Sequence, residues 1–188
     1  MPTRCLVGEI MPWYTLFVRT GYEHYVMNQI STAWQVDGLN PFVPMYGARF
    51  KKGGRIISEK KRCAPGYVFI ESAMRGIEFY ISVKPYVYLS QNSFKVLRYG
   101  NSNLDQSFEM KEGEQVILEK LLNDERCVEM SKGLFEGESV SVIEGPLVGM
   151  EGLIKRVNRH KMEAIVEFEM MSAKREILVG LEIIGRLS

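Results

Sequence analysis

The sequence predicts an α+β fold in two parts: a split α/β sandwich over residues 12–123 and a small β-barrel over residues 136–188. Three observations predict it. Between Trp13 and Leu89, segments of strand and helix character alternate in the order strand–helix–strand–strand–helix–strand. After Gly137 the texture changes. Gly137, Gly145, Gly149, Gly152, Gly180 and Gly185 punctuate short Val and Ile runs, with turn signals roughly every eight to twelve residues. Between these parts, Asn123 to Phe135 reads as a polar linker, placed at 124–135.

Each element has its own signal. Met1 to Met11 shows no periodicity and reads as a disordered leader over residues 1–11. Trp13 to Val18 is a strand, and Gly21 breaks it. Glu23 to Trp34 is a helix with Val26, Ile30 and Ala33 on one face, and Glu23 suits the positive end of its dipole. Leu39 to Tyr46 is a strand interrupted by Pro41 and Pro44, so an edge. A basic hairpin follows, then Pro65-Gly66 turns the chain into a buried strand, Tyr67 to Glu71. Ala73 to Val83 is a helix with Met74, Ile77 and Ile81 on one face, stopped by Pro85. Tyr86 to Leu89 is a short strand. Lys111 to Leu122 is an acidic helix with Ile117, Leu118, Leu121 and Leu122 apolar. Farther on, Glu163 to Glu169 alternates with period two, which puts Ala164, Val166 and Phe168 on one face of a strand.

Net charge is +1 over 188 residues, so global charge names no partner, but local charge does. The hairpin stretch Arg49 to Arg62 carries seven basic residues, Arg49, Lys51, Lys52, Arg55, Lys60, Lys61 and Arg62, against the single acid Glu59. Residues 101–125 hold seven acids and two lysines. Such asymmetry orients one face toward a polyanion. Cys5, Cys63 and Cys127 form no close pair, so neither a disulfide framework nor a zinc site is expected, and a reducing cytoplasm fits. No apolar run has the length of a membrane span, so no membrane partner is expected.

No catalytic chemistry is predicted. The two histidines, His24 and His160, lie far apart without partner motifs, and His24 reads as a helix-surface residue. Nucleophile-elbow, Walker and zinc-protease patterns are absent. No cofactor and no metal are expected. Nucleic-acid binding has more support. Lys155, Arg156, Asn158, Arg159, His160 and Lys161 form a polar and basic turn between two barrel strands, and Lys174 and Arg175 open the next strand. Adjacent turns on one rim would join these eight side chains into a patch for phosphates and base edges. Residues 137–188 hold seven basic and eight acidic residues, so a solvated turn is the bland alternative.

Several landmarks together carry a family resemblance. The basic hairpin followed by Pro65-Gly66-Tyr67-Val68, Trp13-Tyr14 ahead of Gly21-Tyr22-Glu23, and Ser82-Val83-Lys84-Pro85-Tyr86-Val87 are similar to NusG-family transcription elongation factors. So are Gly137-Glu138-Ser139-Val140, Gly145-Pro146 and Glu151-Gly152, in the family's order. The resemblance implies a ferredoxin-like NusG N-terminal (NGN) domain and an SH3-like five-stranded KOW barrel. It also implies that the N-terminal domain grips the clamp helices of RNA polymerase through an apolar groove. Tyr14, Phe17, Tyr46 and Tyr67 are the candidates at or beside matching positions, with core packing as their alternative. Cys63-Ala64 stands where many members carry an aromatic before Pro-Gly-Tyr, so a compensating aromatic is expected elsewhere. Met170-Met171-Ser172-Ala173-Lys174-Arg175 replaces the aromatic turn with which general members contact proteins. In this the chain resembles the LoaP antitermination paralogs, which implies a monomeric antiterminator recognising structured RNA, a hairpin, through its KOW domain. The competing expectation is a general elongation factor whose KOW domain binds the ribosome or a termination factor.

Overall fold

A computed structural model describes residues 11–99 and 107–187. The expected leader therefore lies, but for Met11, outside the described residues. The N-terminal part is built from β1 (Trp13–Val18), α1 (Glu23–Thr32), β2 (Asn40–Phe42), β5 (Tyr67–Glu71), α2 (Gly76–Leu89) and β6 (Ser93–Val96). Between β2 and β5 run β3 (Met45–Lys52) and β4 (Arg55–Arg62), the two strands of the basic hairpin. The order β2-β5-β1-β6, antiparallel throughout, is that of a split β-α-β sandwich. Side chains alternate across β1. Tyr14, Leu16 and Val18 face the two helices, where Val26, Ile30, Phe79 and Val83 complete one core. Trp13 faces the other way, with Phe42 and Phe69.

The basic hairpin turns at Gly53-Gly54, both with positive φ, 57° and 77°, the backbone a two-residue hairpin turn needs. Its base is anchored by Glu23. That buried carboxylate accepts the Gly21 and Gly66 N–H groups at 2.9 and 2.7 Å, with Arg62 at 3.6 Å. Burial alone would raise its pKa, but the N–H donors and the Arg62 charge hold it below the ordinary carboxylate value. The Gly-Tyr-Glu and Pro-Gly landmarks are thus one device, joining helix start to strand start.

Helix α2 overturns three expectations. It continues past Pro85, takes in Tyr86 to Leu89 as helix, and buries Phe79, Val83 and Val87 instead of Ile77 and Ile81, which are exposed. Pro85 removes one ladder hydrogen bond, a cost of about 3 kcal/mol. Burial of Val87 and stacking of Tyr86 on Trp34, centroids 5.3 Å apart, offset it. The fourth sheet strand consequently falls at Ser93–Val96.

Next come α3 (Glu112–Leu121), β7 (Cys127–Val128), β8 (Ser131–Glu136), β9 (Ser139–Glu144), β10 (Ile154–Asn158), β11 (Glu163–Met170) and β12 (Ala173–Leu187). Residues 124–135, expected as a linker, contain β7 and most of β8. Asn123 Oδ1 accepts the Glu125 and Cys127 N–H groups, both at 3.0 Å, and Cys127–Val128 pairs with β3 in parallel. Arg126 reaches back to Glu71 at 2.7 Å and lies over the rings of Trp13 and Phe42. A polar stretch packs here because side chains such as Arg126 and Glu125 meet distant partners, Glu71 and Lys60, which composition does not reveal.

The C-terminal part is a five-stranded sheet, β10-β11-β12-β8-β9. Ala164, Val166 and Phe168 are buried, as their alternation predicts. They do not bury against their own sheet alone. Phe168, Met170 and Ile177 share one core with Trp13, Phe42, Phe69, Leu118 and Leu121. Polar bonds cross the same boundary. Leu178 N–H donates to Cys63 O at 3.0 Å, Tyr46 O–H to Glu163 at 2.9 Å, and Met171 N–H to Glu114 at 3.1 Å.

Candidate nucleic-acid interface

The basic hairpin keeps its charge unevenly. Lys60 pairs with Glu125 at 2.7 Å, Lys61 lies 3.4 Å from both Glu59 and Glu163, and Arg62 meets Glu23. Neutralisation is therefore concentrated at the base. Arg49 and Arg55, nearer the turn, are exposed and have no carboxylate within 4.0 Å among the described residues. Lys51 and Lys52 end the first strand.

The eight C-terminal candidates do not converge on one rim. Asn158 pairs with Glu163 at one end of β11, and Met170 pairs with Ala173 at the other. Eight residues of strand span about 27 Å. Successive turns of an antiparallel meander lie at opposite ends of the strand they share, and that separates the two clusters. Lys155 sits along the strands, 2.7 Å from both Glu167 and Glu176, and Lys174 meets Glu167 at 3.1 Å. These hydrogen-bonded carboxylates hold the Lys155 ammonium above its ordinary pKa, and the lysines hold Glu167 below its own. Arg175 turns toward the N-terminal part, its guanidinium 5.6 Å from the Tyr67 ring.

What remains at the β10–β11 turn is a smaller group. Arg156, Asn158, Arg159, His160 and Lys161 are exposed, and Asn158 Oδ1 braces the turn by accepting the Lys161 N–H at 3.1 Å. Arg159 lies over the Phe135 ring at 5.4 Å. Arg156 and Lys161 have no carboxylate within 4.0 Å among the described residues. Beside them opens a hollow of about 240 Å³ lined by Arg156, Asn158, Lys161 and Glu163. Glu163 also holds Tyr46 and Lys61, so it joins this turn to the base of the basic hairpin. Two clusters far apart in sequence meet at one carboxylate.

The aromatic candidates divide. Tyr14 is buried, stacked on Phe79 at 3.6 Å, with its O–H donated to Met74 O at 2.6 Å. Tyr46 is buried against the C-terminal sheet. Burial, with Glu109 beside Tyr14 and Glu163 beside Tyr46, raises both phenol pKa values. Neither ring lines an open groove. Phe17 and Tyr67 are half-buried, 5.7 Å apart, and Phe17 contacts exposed Phe94 at 5.4 Å. Phe94 is a third ring at this edge. Its own stretch, Ser93-Phe94-Lys95-Val96, carried no signal strong enough to find it. Trp13 is fully buried, in the core.

Among the described residues no three His, Cys, Asp or Glu side chains cluster as a metal site, and Cys63 and Cys127 are free and buried. No helix there is long and apolar enough to cross a membrane.

Residues 11–99 match the family model for NusG, transcription termination factor. Over 155 residues the chain is 23% identical to the transcription termination/antitermination protein NusG of Pseudomonas aeruginosa, covering 79% of this chain and 83% of that protein.

Proposed function

We propose that this chain is a NusG-like transcription factor that rides RNA polymerase and engages structured RNA. The family match over the split sandwich supports the first part. The meeting of the hairpin base and the Arg156–Lys161 turn around Glu163 carries the second. In this reading the five-stranded C-terminal sheet is a KOW-type barrel, and the short stretch ahead of Ser131, its first strand residue, joins it to the N-terminal domain. The protein works in the cytoplasm as a monomer, is not an enzyme, and acts as a LoaP-like antiterminator rather than a general elongation factor. Double-stranded RNA hides its base edges in a deep groove, so the turn reads phosphates, shape and unpaired loop bases of a hairpin.

Half-buried Phe17 and Tyr67, with exposed Phe94, form the border of the polymerase groove. The rest of that apolar face, Phe42 and Phe69 included, lies in a core shared with Phe168, Met170 and Ile177. A clamp helix takes this face once the β11–β12 hairpin has moved aside.

The test is a salt titration of hairpin-RNA binding by the full chain. Binding weakens with the logarithm of salt concentration as counterions return to the phosphates. Arg156→Ala and Lys161→Ala each lower affinity and flatten the slope by about one unit. If both leave affinity and slope unchanged, the RNA reading fails and a protein-binding C-terminal domain replaces it.

A further inference from the structure

In the middle of the sheet face that meets the C-terminal part stands a hydroxyl with nothing to bond. Alternation along β1 puts Trp13, Thr15 and Phe17 on that face. Trp13 belongs to the shared core, and Phe17 packs against it. Thr15, between them, is fully buried and lies directly opposite Phe69 on β5. Its backbone is used, since its carbonyl accepts the Leu97 N–H at 2.8 Å. Its side chain is not. Among the described residues, Thr15 Oγ1 is buried without a hydrogen-bond partner.

A second orphan lies across the same boundary. Arg175 Nε, from β12, is also buried without a partner among the described residues. The Arg175 guanidinium lies 5.6 Å from the ring of Tyr67, which pairs with Phe17, two positions along β1 from Thr15. Other polar groups at this boundary are satisfied: Glu163 accepts Tyr46 O–H, Glu114 accepts Met171 N–H and Cys63 O accepts Leu178 N–H. A buried hydroxyl left unbonded costs about tenfold in the equilibrium that buries it, and a valine would fill nearly the same space without that cost. A threonine at this position therefore weakens the closure of the β11–β12 hairpin on the sheet. It can help only an occupant that takes the hairpin's place. Apolar grooves orient what they bind through a few polar groups, and a site that offers a hydrogen bond rejects occupants that leave it unmade.

We propose that the Thr15 hydroxyl is a polar recognition group of the polymerase groove, bonded by a polar side chain on the docked face of the clamp helix and left unsatisfied when the β11–β12 hairpin covers it. This rests on the reading that a clamp helix takes this face. The hydroxyl then acts twice, with opposite signs: it destabilises the closed form and stabilises the complex. The partner it fits is an amphipathic helix whose apolar ridge is interrupted by a polar residue above Thr15.

The experiment compares the full chain with Thr15→Val and Thr15→Ser, each checked for native circular dichroism. Hydrogen exchange at the Leu178 and Met171 amides, whose bonds to Cys63 and Glu114 cross the boundary, reads opening. Calorimetric titration with a clamp-helix peptide reads docking. Thr15→Val slows exchange at both amides about tenfold and weakens peptide binding about a hundredfold, one factor of about ten because fewer molecules are open and another because the contact is lost. Thr15→Ser, which keeps the hydroxyl and loses a methyl group, holds peptide affinity within about fivefold of the parent. If Thr15→Val leaves exchange unchanged or faster, the hydroxyl does not weaken closure and the proposal is overturned. If its affinity falls only by the factor by which exchange slows, or does not fall, the hydroxyl meets no partner side chain and the proposal is overturned as well. Failure of the parent chain itself to bind the peptide overturns the groove reading and the proposal together, and the parent titration tells that outcome from the others.

Discussion

Gly180 marks a close approach between the two parts of the chain. A Cβ there would lie 2.5 Å from Gly47 O and 2.9 Å from Met130 Sδ. The thioether can swing away, since methionine is flexible. The carbonyl cannot, because Gly47 is paired with Lys60 in the β3–β4 ladder. Gly180→Ala therefore forces β12 away from β3 and loosens the core above Tyr46. Overpacking of this kind costs about 1–3 kcal/mol. At a denaturant sensitivity of about 2 kcal/mol per molar, the urea midpoint falls by about 0.5–1.5 M. Gly47→Ala is the matched control. Its own Cβ meets nothing within 4 Å, and its φ is not positive, so it leaves the midpoint unchanged or raises it slightly. The assay is urea unfolding followed by circular dichroism and tryptophan fluorescence together. A Gly180→Ala midpoint equivalent to within about 0.5 kcal/mol of the parent would refute the close packing of β12 on β3.

Other expectations follow from single contacts. Glu23 is ionised in the fold with a lowered pKa, so its contribution is complete above the ordinary value of 4.5 and is lost as pH falls through the lower folded value. Glu23→Gln costs about 1–3 kcal/mol at neutral pH and flattens the acid limb of the stability–pH curve, as thermal melts across that range show. Lys155→Ala lowers RNA affinity less than Arg156→Ala, because two carboxylates already occupy Lys155; filter binding of both variants reads this directly. Phe17→Ala weakens binding to a clamp-helix peptide by about 2 kcal/mol with the fold retained, whereas Tyr14→Ala lowers stability itself by about 3–5 kcal/mol. Calorimetric titration beside a melting curve distinguishes them.

Elements with a strong local period were legible in the sequence. The β11 alternation, the helix after Glu23 and the strand after Pro65-Gly66 stand where the pattern puts them. Elements decided by distant partners were not. Pro85 reads as a helix stop, yet Val87 and Tyr86 find burial and a stacking partner, and these outweigh one missing hydrogen bond. Asn123 to Phe135 reads as a linker because it is polar. Its order rests on Arg126 meeting Glu71, 55 positions away. Local composition cannot encode a partner at that distance.

The charge clusters show the same limit more sharply. Counting Lys and Arg finds the segments 49–62 and 155–161 but not which charges stay available to a polyanion. Availability depends on cross-strand neighbours. Glu167 stands opposite Glu176, so Lys155, bonded to both, relieves a like-charge pair before it can serve a ligand. Lys84, Lys95, Arg98 and Arg175, by contrast, are scattered through sequence, yet they line one cleft of about 540 Å³ beside α2 and β6. Folding gathers them beside exposed rings and, among the described residues, away from carboxylates. A basic run is thus weak evidence for a binding site, because pairing within the fold can consume it.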